Sequence, residues 1–340
     1  MTLSGYDLNT VEGYDFFLDY THVAFVLGLL VSFVYFRRTH VSAGGSLAVG
    51  YLAAAMFYPL NVVATLAISA VAFCLIRFVI LKIWLPRPRM IFSIGLMTGV
   101  SMGLIWLIVQ HVWLNNRTDL FAGLSLVGIV IPGMICNSLN KQGVMKTLLP
   151  IAWMVPLTAV ISLALTWVGN KFEGATGQEM FAPGEADAWQ LFVLGAVSVV
   201  GAILILDGPL SRLQLRTGGY VTAGIFVSAL DDWRYLVLPI LTAFILWLVV
   251  GNFLKRVPLF GKDRFVLMIL SSVVTFACLQ HMLYLATGQS LNGSENLVFM
   301  VLPAIFVNDV VQYGIRRVLS GFGLNVLLCL VVAGGLWAVA

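Results

Sequence analysis

Residues 60–85 read LNVVATLAISAVAFCLIRFVILKIWL, and Arg77 and Lys82 are the only charged side chains among them. A helix that crosses a hydrocarbon core about 30 Å thick needs about 20 predominantly apolar residues, which this run supplies. Inside a bilayer the backbone must satisfy its own hydrogen bonds, and a helix does so within a single segment. The stretch therefore predicts a transmembrane helix.

The rest of the chain has the same character. Of its 340 residues 60% are apolar and only 10% are charged, and the mean hydropathy is +0.99. A soluble domain carries roughly 25% charged residues. The net charge of +4 has no soluble basic domain through which it could serve nucleic-acid binding, so that class of partner is excluded. The sequence predicts an all-α polytopic integral membrane protein.

Further apolar blocks lie on both sides of residues 60–85, and together they number six in each half of the chain. In the first half they cover residues 22–36, 45–58, 60–85, 91–114, 120–136 and 147–168. In the second half they cover residues 189–206, 219–230, 235–254, 265–287, 297–311 and 318–340. We therefore expect about 12 transmembrane segments, within a range of 10–12.

The basic residues collect in alternate loops. If the chain starts outside, the outer side holds only Arg117, Lys171 and Arg234 of the 19 Lys and Arg residues. Cytoplasmic loops are the ones that retain Lys and Arg. The pattern predicts a multi-pass protein of the cytoplasmic (inner) membrane with both termini extracytoplasmic.

The two halves share motifs at a nearly constant spacing, which predicts a tandem duplication. Six segments in each half would return the second half to the membrane in the same orientation, so the two repeats are expected to be parallel. We predict a first membrane repeat over residues 1–168, an extracytoplasmic linker over 169–188 and a second repeat over 189–340. The motif Pro132-x4-Asn137-x5-Gly143-x2-Lys146 recurs 171 positions later as Pro303-x4-Asn308-x5-Gly314-x2-Arg317; Gly44-Gly45-x4-Gly50 recurs 174 later as Gly218-Gly219-x4-Gly224; and Gln110-His111 recurs 170 later as Gln280-His281.

Short blocks at matching places in the two repeats are interrupted by Gly or Pro, which is the pattern expected for a midplane site or pathway. For Gly50 and Gly224 two interpretations stay open, a site and close helix packing. Pro132 and Pro303 are expected to break their helices, because proline frees a backbone carbonyl. Asn137 and Asn308 would then line the path with polar groups.

No nucleophile elbow, P-loop, metal-ligand spacing or dinucleotide fingerprint occurs in the sequence, so a non-catalytic subunit without a cofactor or metal is expected.

His111 and His281 are weaker candidates, more simply explained as interfacial histidines that water satisfies than as a proton relay. Asp309 is expected to pair with Arg316 or Arg317. The four cysteines lie in apolar blocks and are interpreted as packing residues without disulfides.

At these motifs the first half resembles the small membrane subunit of bacterial poly-γ-glutamate capsule synthases, the CapC/PgsC family. The resemblance covers about residues 22–168. It rests on Arg38-Thr39, Gly45, Gly50-Tyr51-Leu52-Ala53, Ile131-Pro132-Gly133-Met134-Ile135-Cys136-Asn137 and Lys141-Gln142-Gly143. The second half keeps Pro303, Asn308 and Gly314 but has Ala304 in place of Gly133 and Gln312-Tyr313 in place of Lys141-Gln142. The chain is thus similar to a duplicated member of about twice the usual length.

The resemblance implies a subunit that docks a cytoplasmic Mur-ligase-like ATP-dependent amide ligase and helps to export a polyanionic peptide polymer. ATP and Mg²⁺ would belong to that ligase, and the other partners would be membrane lipids and a further membrane-anchored extracytoplasmic subunit. The residues expected to form the substrate path and partner surface are Arg37, Arg38, Gly45, Gly50, Pro132, Asn137, Lys141, Gln142, Gly143, Lys146, Pro303, Asn308, Asp309, Gly314, Arg316 and Arg317.

Two other functions stay open from the sequence. The first is a stand-alone secondary transporter for a small anionic solute, which the two-repeat pattern permits. The second is an integral membrane enzyme, which ranks lowest because no acid, base and nucleophile set is visible.

Overall fold

In the computed structural model the chain is almost entirely helical. The structure describes residues 2–3, 6–7, 11–83, 88–113, 122–172, 188–230, 233–288 and 296–339. Two very short strands, β1 (Thr2–Leu3) and β2 (Tyr6–Asp7), pair antiparallel ahead of the first helix. The chain divides into two compact units, which correspond closely to its first and second halves.

The first unit begins with one long helix, and a very short one follows it. These are α1 (Val11–Thr39) and α2 (Ala48–Ala54), the latter extended by a 3₁₀ turn, Ala55–Phe57. Next comes α3 (Pro59–Cys74), which continues through the π-helical turn Leu75–Ile80 into α4 (Leu81–Ile83). The remaining helices are α5 (Pro88–Trp113), α6 (Ala122–Gln142) and α7 (Val144–Phe172).

The second unit repeats this order of long and short helices. It begins with α8 (Ala188–Leu206), the 3₁₀ turn Pro209–Leu213 and the short α9 (Thr222–Ser228). It continues with α10 (Trp233–Arg256), α11 (Gly261–Thr287), α12 (Asn296–Tyr313) and α13 (Ile315–Val339). In the first unit α1, α2 and α7 pack on one another, and in the second α8, α9 and α13 do the same.

Among the residues that the structure describes, six helical stretches are long and apolar enough to cross a membrane. They are Asp19–Thr39, Pro59–Ile83, Val144–Gly169, Trp233–Leu254, Gly261–Thr287 and Ile315–Gly335. Their outward faces carry large exposed hydrophobic side chains such as Val160, Val249 and Val331, which water would solvate poorly. These helices indicate a membrane protein. The number of twelve segments and the parallel layout of the repeats stay predictions.

The short helices lie against the preceding long helix at backbone contact distance. A Cβ atom added at Gly50 would lie 2.5 Å from the carbonyl oxygen of Phe25 in α1, and one added at Gly28 would overlap the backbone of Gly50. In the second unit a Cβ at Gly224 would overlap the carbonyl oxygen of Leu194 in α8. Both motif glycines are therefore packing residues, which favours one of the two interpretations left open by the sequence.

The motif prolines do not break their helices, contrary to the expectation from the sequence. Pro132 lies inside α6 and Pro303 inside α12, and both helices continue to the motif glycine. The break comes instead at Gly143 and Gly314, whose φ angles are +90° and +88°. Neighbouring protein can satisfy the carbonyl that a membrane proline frees, whereas a left-handed residue ends a helix directly.

Candidate functional site

Each unit contains a buried loop that leads into its short helix. The first buried loop is residues 40–47 and the second is residues 214–221. Both start at a residue with positive φ, His40 (57°) and Gln214 (50°), and both contain two glycines with positive φ: Gly44 (72°) and Gly45 (111°) in the first, Gly218 (64°) and Gly219 (123°) in the second. The two loops therefore have closely similar backbones, 174 positions apart.

Non-helical backbone at membrane depth is tolerated where protein surrounds it, because exposed peptide groups find no partner in lipid. Ala43, Gly44 and Leu47 are buried in the first loop, and Thr217 and Gly218 are buried in the second. The loop and short helix run antiparallel to the preceding long helix. In the first unit Ser32 Oγ donates to the Gly45 carbonyl (3.4 Å), and Tyr20 Oη donates to the Ala53 carbonyl (2.7 Å).

The side-chain amide of Gln142, the last residue of α6, fixes the first buried loop. The Ser42 backbone N–H donates to Gln142 Oε1 (3.1 Å), and Gln142 Nε2 donates to the Ser42 carbonyl. One side chain thus satisfies both backbone groups of a loop residue. Gln142 Nε2 also lies 3.4 Å from Thr147 Oγ1, at the start of α7. The sequence-predicted residue Gln142 is therefore a loop-fixing residue.

The second buried loop is held at the matching place by different chemistry. The guanidinium of Arg216 lies 3.6 Å from the ring centroid of Tyr313, the last residue of α12. The Arg216 backbone N–H donates to the carbonyl of Arg317 in α13 (3.1 Å). In the same unit Ser198 Oγ donates to the Tyr220 carbonyl (2.8 Å), and Asn325 Nδ2 donates to the Ser198 carbonyl (3.1 Å).

Asn308 is part of an arginine–amide cluster that the sequence did not predict. Arg264, near the start of α11, donates from Nε to Asn308 Oδ1 (3.0 Å) and from Nη2 to Gln312 Oε1 (2.9 Å). Gln312 Nε2 in turn lies 2.9 Å from Tyr313 Oη. Among the described residues, these hydrogen bonds of Arg264 go to neutral amides and none goes to a carboxylate. Of these four residues, Arg264 alone carries a charge.

Exposed basic side chains flank the turn between the last two helices of each unit. Lys141 and Lys146 lie on either side of Gly143, and Arg316 and Arg317 follow Gly314. We call these two pairs the turn cations. Arg37 and Arg38 are also exposed, at the end of α1, and the Arg37 guanidinium lies 5.8 Å from the Phe33 ring centroid. Such a surface can bind carboxylates or phosphates and repels other cations.

The other predicted residues have varied surroundings. Pro132 and Pro303 are buried, and Asn137, Gly45 and Asp309 are half-buried. Asn137 has no side-chain hydrogen-bond partner among the residues that the structure describes, in contrast to Asn308. His281 is exposed, whereas the side chain of His111 lies outside the described residues. Within the described part of the chain, no three His, Cys, Asp or Glu side chains come together as metal ligands would.

Comparison with known proteins locates the similarity on these same segments. The model of a family described as Capsule biosynthesis CapC matches residues 27–148 and again residues 200–319. Each match contains one buried loop, one motif proline and one turn glycine. The family unit is therefore present twice in this chain.

Two curated relatives are each matched over most of their own length. The chain is 25% identical over 126 residues to the PGA biosynthesis protein CapC of Bacillus subtilis (strain 168), which is 37% of this chain and 82% of that protein. It is 26% identical over 127 residues to the Capsule biosynthesis protein CapC of Bacillus anthracis, 37% of this chain and 83% of that protein. No solved structure matches the chain.

Proposed function

The chain belongs to the Capsule biosynthesis CapC family, which gives it a role in capsule synthesis, and from this premise we propose that it is the membrane subunit of a poly-γ-glutamate synthase. In this role it docks a cytoplasmic Mur-ligase-like amide ligase and helps the polyanionic product to cross the cytoplasmic membrane. The ligase supplies the ATP-dependent chemistry, with its own ATP and Mg²⁺, and this chain supplies the membrane path.

The observation that carries the proposal is the repeated pair of turn cations within a family unit that occurs twice. Lys141 and Lys146 in one unit, and Arg316 and Arg317 in the other, are exposed beside a turn of the same geometry. A polymer with one carboxylate on each residue is attracted to such surfaces, and so is an acidic face of a ligase. The name of the Bacillus subtilis relative, a PGA biosynthesis protein, supports the same polymer class.

The proposed orientation follows from the charges. With the turn cations on the cytoplasmic side, both termini are extracytoplasmic, as the distribution of Lys and Arg predicts. The ligase then meets the turn cations, and any further membrane-anchored subunit meets the opposite side. The two repeats, 1–168 and 189–340, each contribute one turn, and the linker 169–188 lies outside the membrane.

The first test is affinity purification from the native membrane in mild detergent. We expect a Mur-ligase-like amide ligase to co-purify in stoichiometric amount. A parallel purification of a tagged but unrelated polytopic protein from the same membrane controls for non-specific capture. A chain that purifies alone, and that drives coupled uptake of a small anion when reconstituted in liposomes, would establish the transporter alternative instead.

The second test removes charge from one turn. The double variant Lys141→Gln/Lys146→Gln is expected to reduce polymer yield several-fold, because it removes the attraction for polymer or ligase without touching a buried contact. The matched control is Lys82→Gln, which neutralises an exposed lysine of α4 that is not one of the turn cations. Equal polymer yield from both variants, at equal protein level in the membrane, would exclude a role for this turn.

A further inference from the structure

A cavity of about 380 Å³ lies within the second unit, between α9, α10, α12 and α13. Its lining is almost wholly apolar and includes Ala243, Phe244, Trp247, Phe306, Ile315 and Phe322. The volume falls in the range of about 300–1,000 Å³ that ligand pockets occupy. A cavity lined in this way is dry and takes an apolar occupant, since water would find almost no hydrogen-bond partner there.

The cavity opens on the lipid-facing side of the unit. Phe244 and Trp247, which lie along its rim on α10, are 54% and 43% exposed. Both belong to the stretch Trp233–Leu254, which is long and apolar enough to span a membrane. The fluid at this opening is therefore hydrocarbon, so a lipid tail reaches the cavity without crossing water.

The length of the cavity fits one lipid leaflet. It extends along α12 from Phe299 to Val310, eleven residues apart, which corresponds to about 16 Å of helix. The hydrocarbon core of a bilayer is about 30 Å thick, so one leaflet is about half of that. The rings of Tyr235 and Phe299, whose centroids are 4.8 Å apart and whose planes are inclined by 42°, lie at the far end.

The other end of the cavity is beside positive charge. Ile315, which lines the cavity, is followed directly by the exposed Arg316 and Arg317. Basic groups at the end of a cleft between membrane helices are the arrangement that binds anionic lipid headgroups. We propose that this cavity is a phospholipid site, which holds one acyl chain of an anionic phospholipid while Arg316 binds the phosphate.

This site differs from the proposed polymer path in its chemistry and in most of the residues that form it. The cavity accepts hydrocarbon, whereas the turn cations attract carboxylates. Arg316 serves both roles, and Pro303, which the sequence predicted for the path, also lines the cavity. Lipid binding can therefore be measured on the purified chain without any ligase or polymer, so failure of one proposal leaves the other standing.

Photo-crosslinking of the full-length wild-type chain tests the site directly. The chain is placed in nanodiscs that contain phosphatidylglycerol with a diazirine in its acyl chain, and the labelled residues are mapped by mass spectrometry. We expect labels on Phe306 and Phe322, whose ring centroids lie 5.4 Å apart inside the cavity. Labels confined to outward-facing side chains such as Val237 and Val331 would overturn the proposal.

A variant that fills the cavity gives a second test. Ala243→Phe is expected to remove one bound phosphatidylglycerol in native mass spectrometry, whereas the control Val274→Phe, at a 64% exposed position on α11, keeps it. Arg316→Gln should lower the preference for phosphatidylglycerol over phosphatidylcholine several-fold while an acyl chain still binds. Unchanged stoichiometry in Ala243→Phe, or displacement of the bound lipid by equimolar polyprenyl phosphate, would contradict the assignment.

Discussion

The two buried loops share a backbone but differ in how they are fixed. Gln142 fixes the first through hydrogen bonds to the backbone N–H and carbonyl of Ser42. The second is held by Arg216, through the Tyr313 ring and a backbone bond to Arg317. Since the positive-φ residues match one to one, the glycines set the course of the loop. The contact that fixes the loop can be made either by an amide side chain or by an arginine against an aromatic ring.

The difference extends to the motif asparagines. Asn308 accepts a hydrogen bond from Arg264, whereas Asn137 is half-buried without a partner among the described residues. Its amide is thus available to a passing ligand, and that of Asn308 is occupied by the arginine. The first copy is therefore the better candidate for a polar path, whereas the described residues of the second form a charged cluster and an apolar cavity.

The largest expected effect comes from disrupting a feature that both copies share, the close packing of the short helix on the preceding long helix. Gly50→Ala places a methyl group 2.5 Å from the Phe25 carbonyl oxygen, so the short helix must move away from α1. Overpacking of this kind costs up to about 3 kcal/mol. We expect a much lower thermal unfolding midpoint in detergent. Gly334→Ala is the matched control, since nothing lies within 4 Å of its added Cβ, and equal midpoints for the two variants would contradict the packing role.

The variant Gln142→Leu should affect the first buried loop and leave the second unchanged. The variant leaves the Ser42 N–H and carbonyl without their partner in a part-buried loop, at a cost of about 2 kcal/mol. Hydrogen exchange is expected to quicken at residues 40–47 and to stay unchanged at residues 214–221. Lys141→Leu, at the exposed neighbouring position, controls for the added apolar surface. Exchange that quickens equally in both loops would mean that they are not fixed independently.

Substitutions in the arginine–amide cluster should show coupled effects on the free energy of unfolding, which are not expected at Asn137 in the first copy. Because the bonds of Arg264 are partly exposed, its replacement by Met is expected to cost only about 1 kcal/mol of unfolding free energy. Combining it with Asn308→Ala should cost less than the sum of the two single changes. Asn137→Ala in the first copy should leave stability unchanged. Additive effects of Arg264→Met and Asn308→Ala would argue against the cluster.

The smallest expected effect is at Tyr313. Replacement by Leu removes the ring beneath Arg216, and a cation–π contact at a partly exposed site contributes about 0.5–1 kcal/mol. Hydrogen exchange at residues 214–221 should rise slightly. Tyr313→Phe keeps the ring and removes only the hydroxyl, which contacts Gln312 rather than Arg216, so exchange at residues 214–221 should match that of the wild type. If the Phe variant matches the Leu variant, the hydroxyl rather than the ring holds the loop.

Much of the fold could be predicted from the sequence, because apolar blocks and recurring motifs are properties of local runs of residues. The helical class, the membrane environment and the two family units all follow from them, and the block at 60–85 corresponds to α3 and its continuation. The prediction for Pro132 and Pro303 was wrong, because proline alone does not decide whether a membrane helix continues. The left-handed glycines eleven residues later do.

The site was harder to predict, because its contacts join residues far apart in the chain. Arg264 and Asn308 are 44 positions apart, and Ser42 and Gln142 are 100. No spacing rule connects such pairs. A weak signal did exist for Gln142 and Tyr313, since the duplication aligns them at the same motif position. The cavity gave no signal at all, because its apolar lining looks in sequence like any other membrane helix.

The distance between Ser42 and Gln142 along the chain also bears on how this protein is made. A ribosome delivers the first buried loop long before it delivers the amide that satisfies the loop's backbone. The Ser42 N–H and carbonyl are part-buried near the exposed turn at Gly143, and until α6 has been made they pair with water. The first copy therefore completes this contact only after α6 has been inserted. A nascent chain halted before Gln142 should leave residues 40–47 open to a water-soluble probe, and one halted after α7 should protect them.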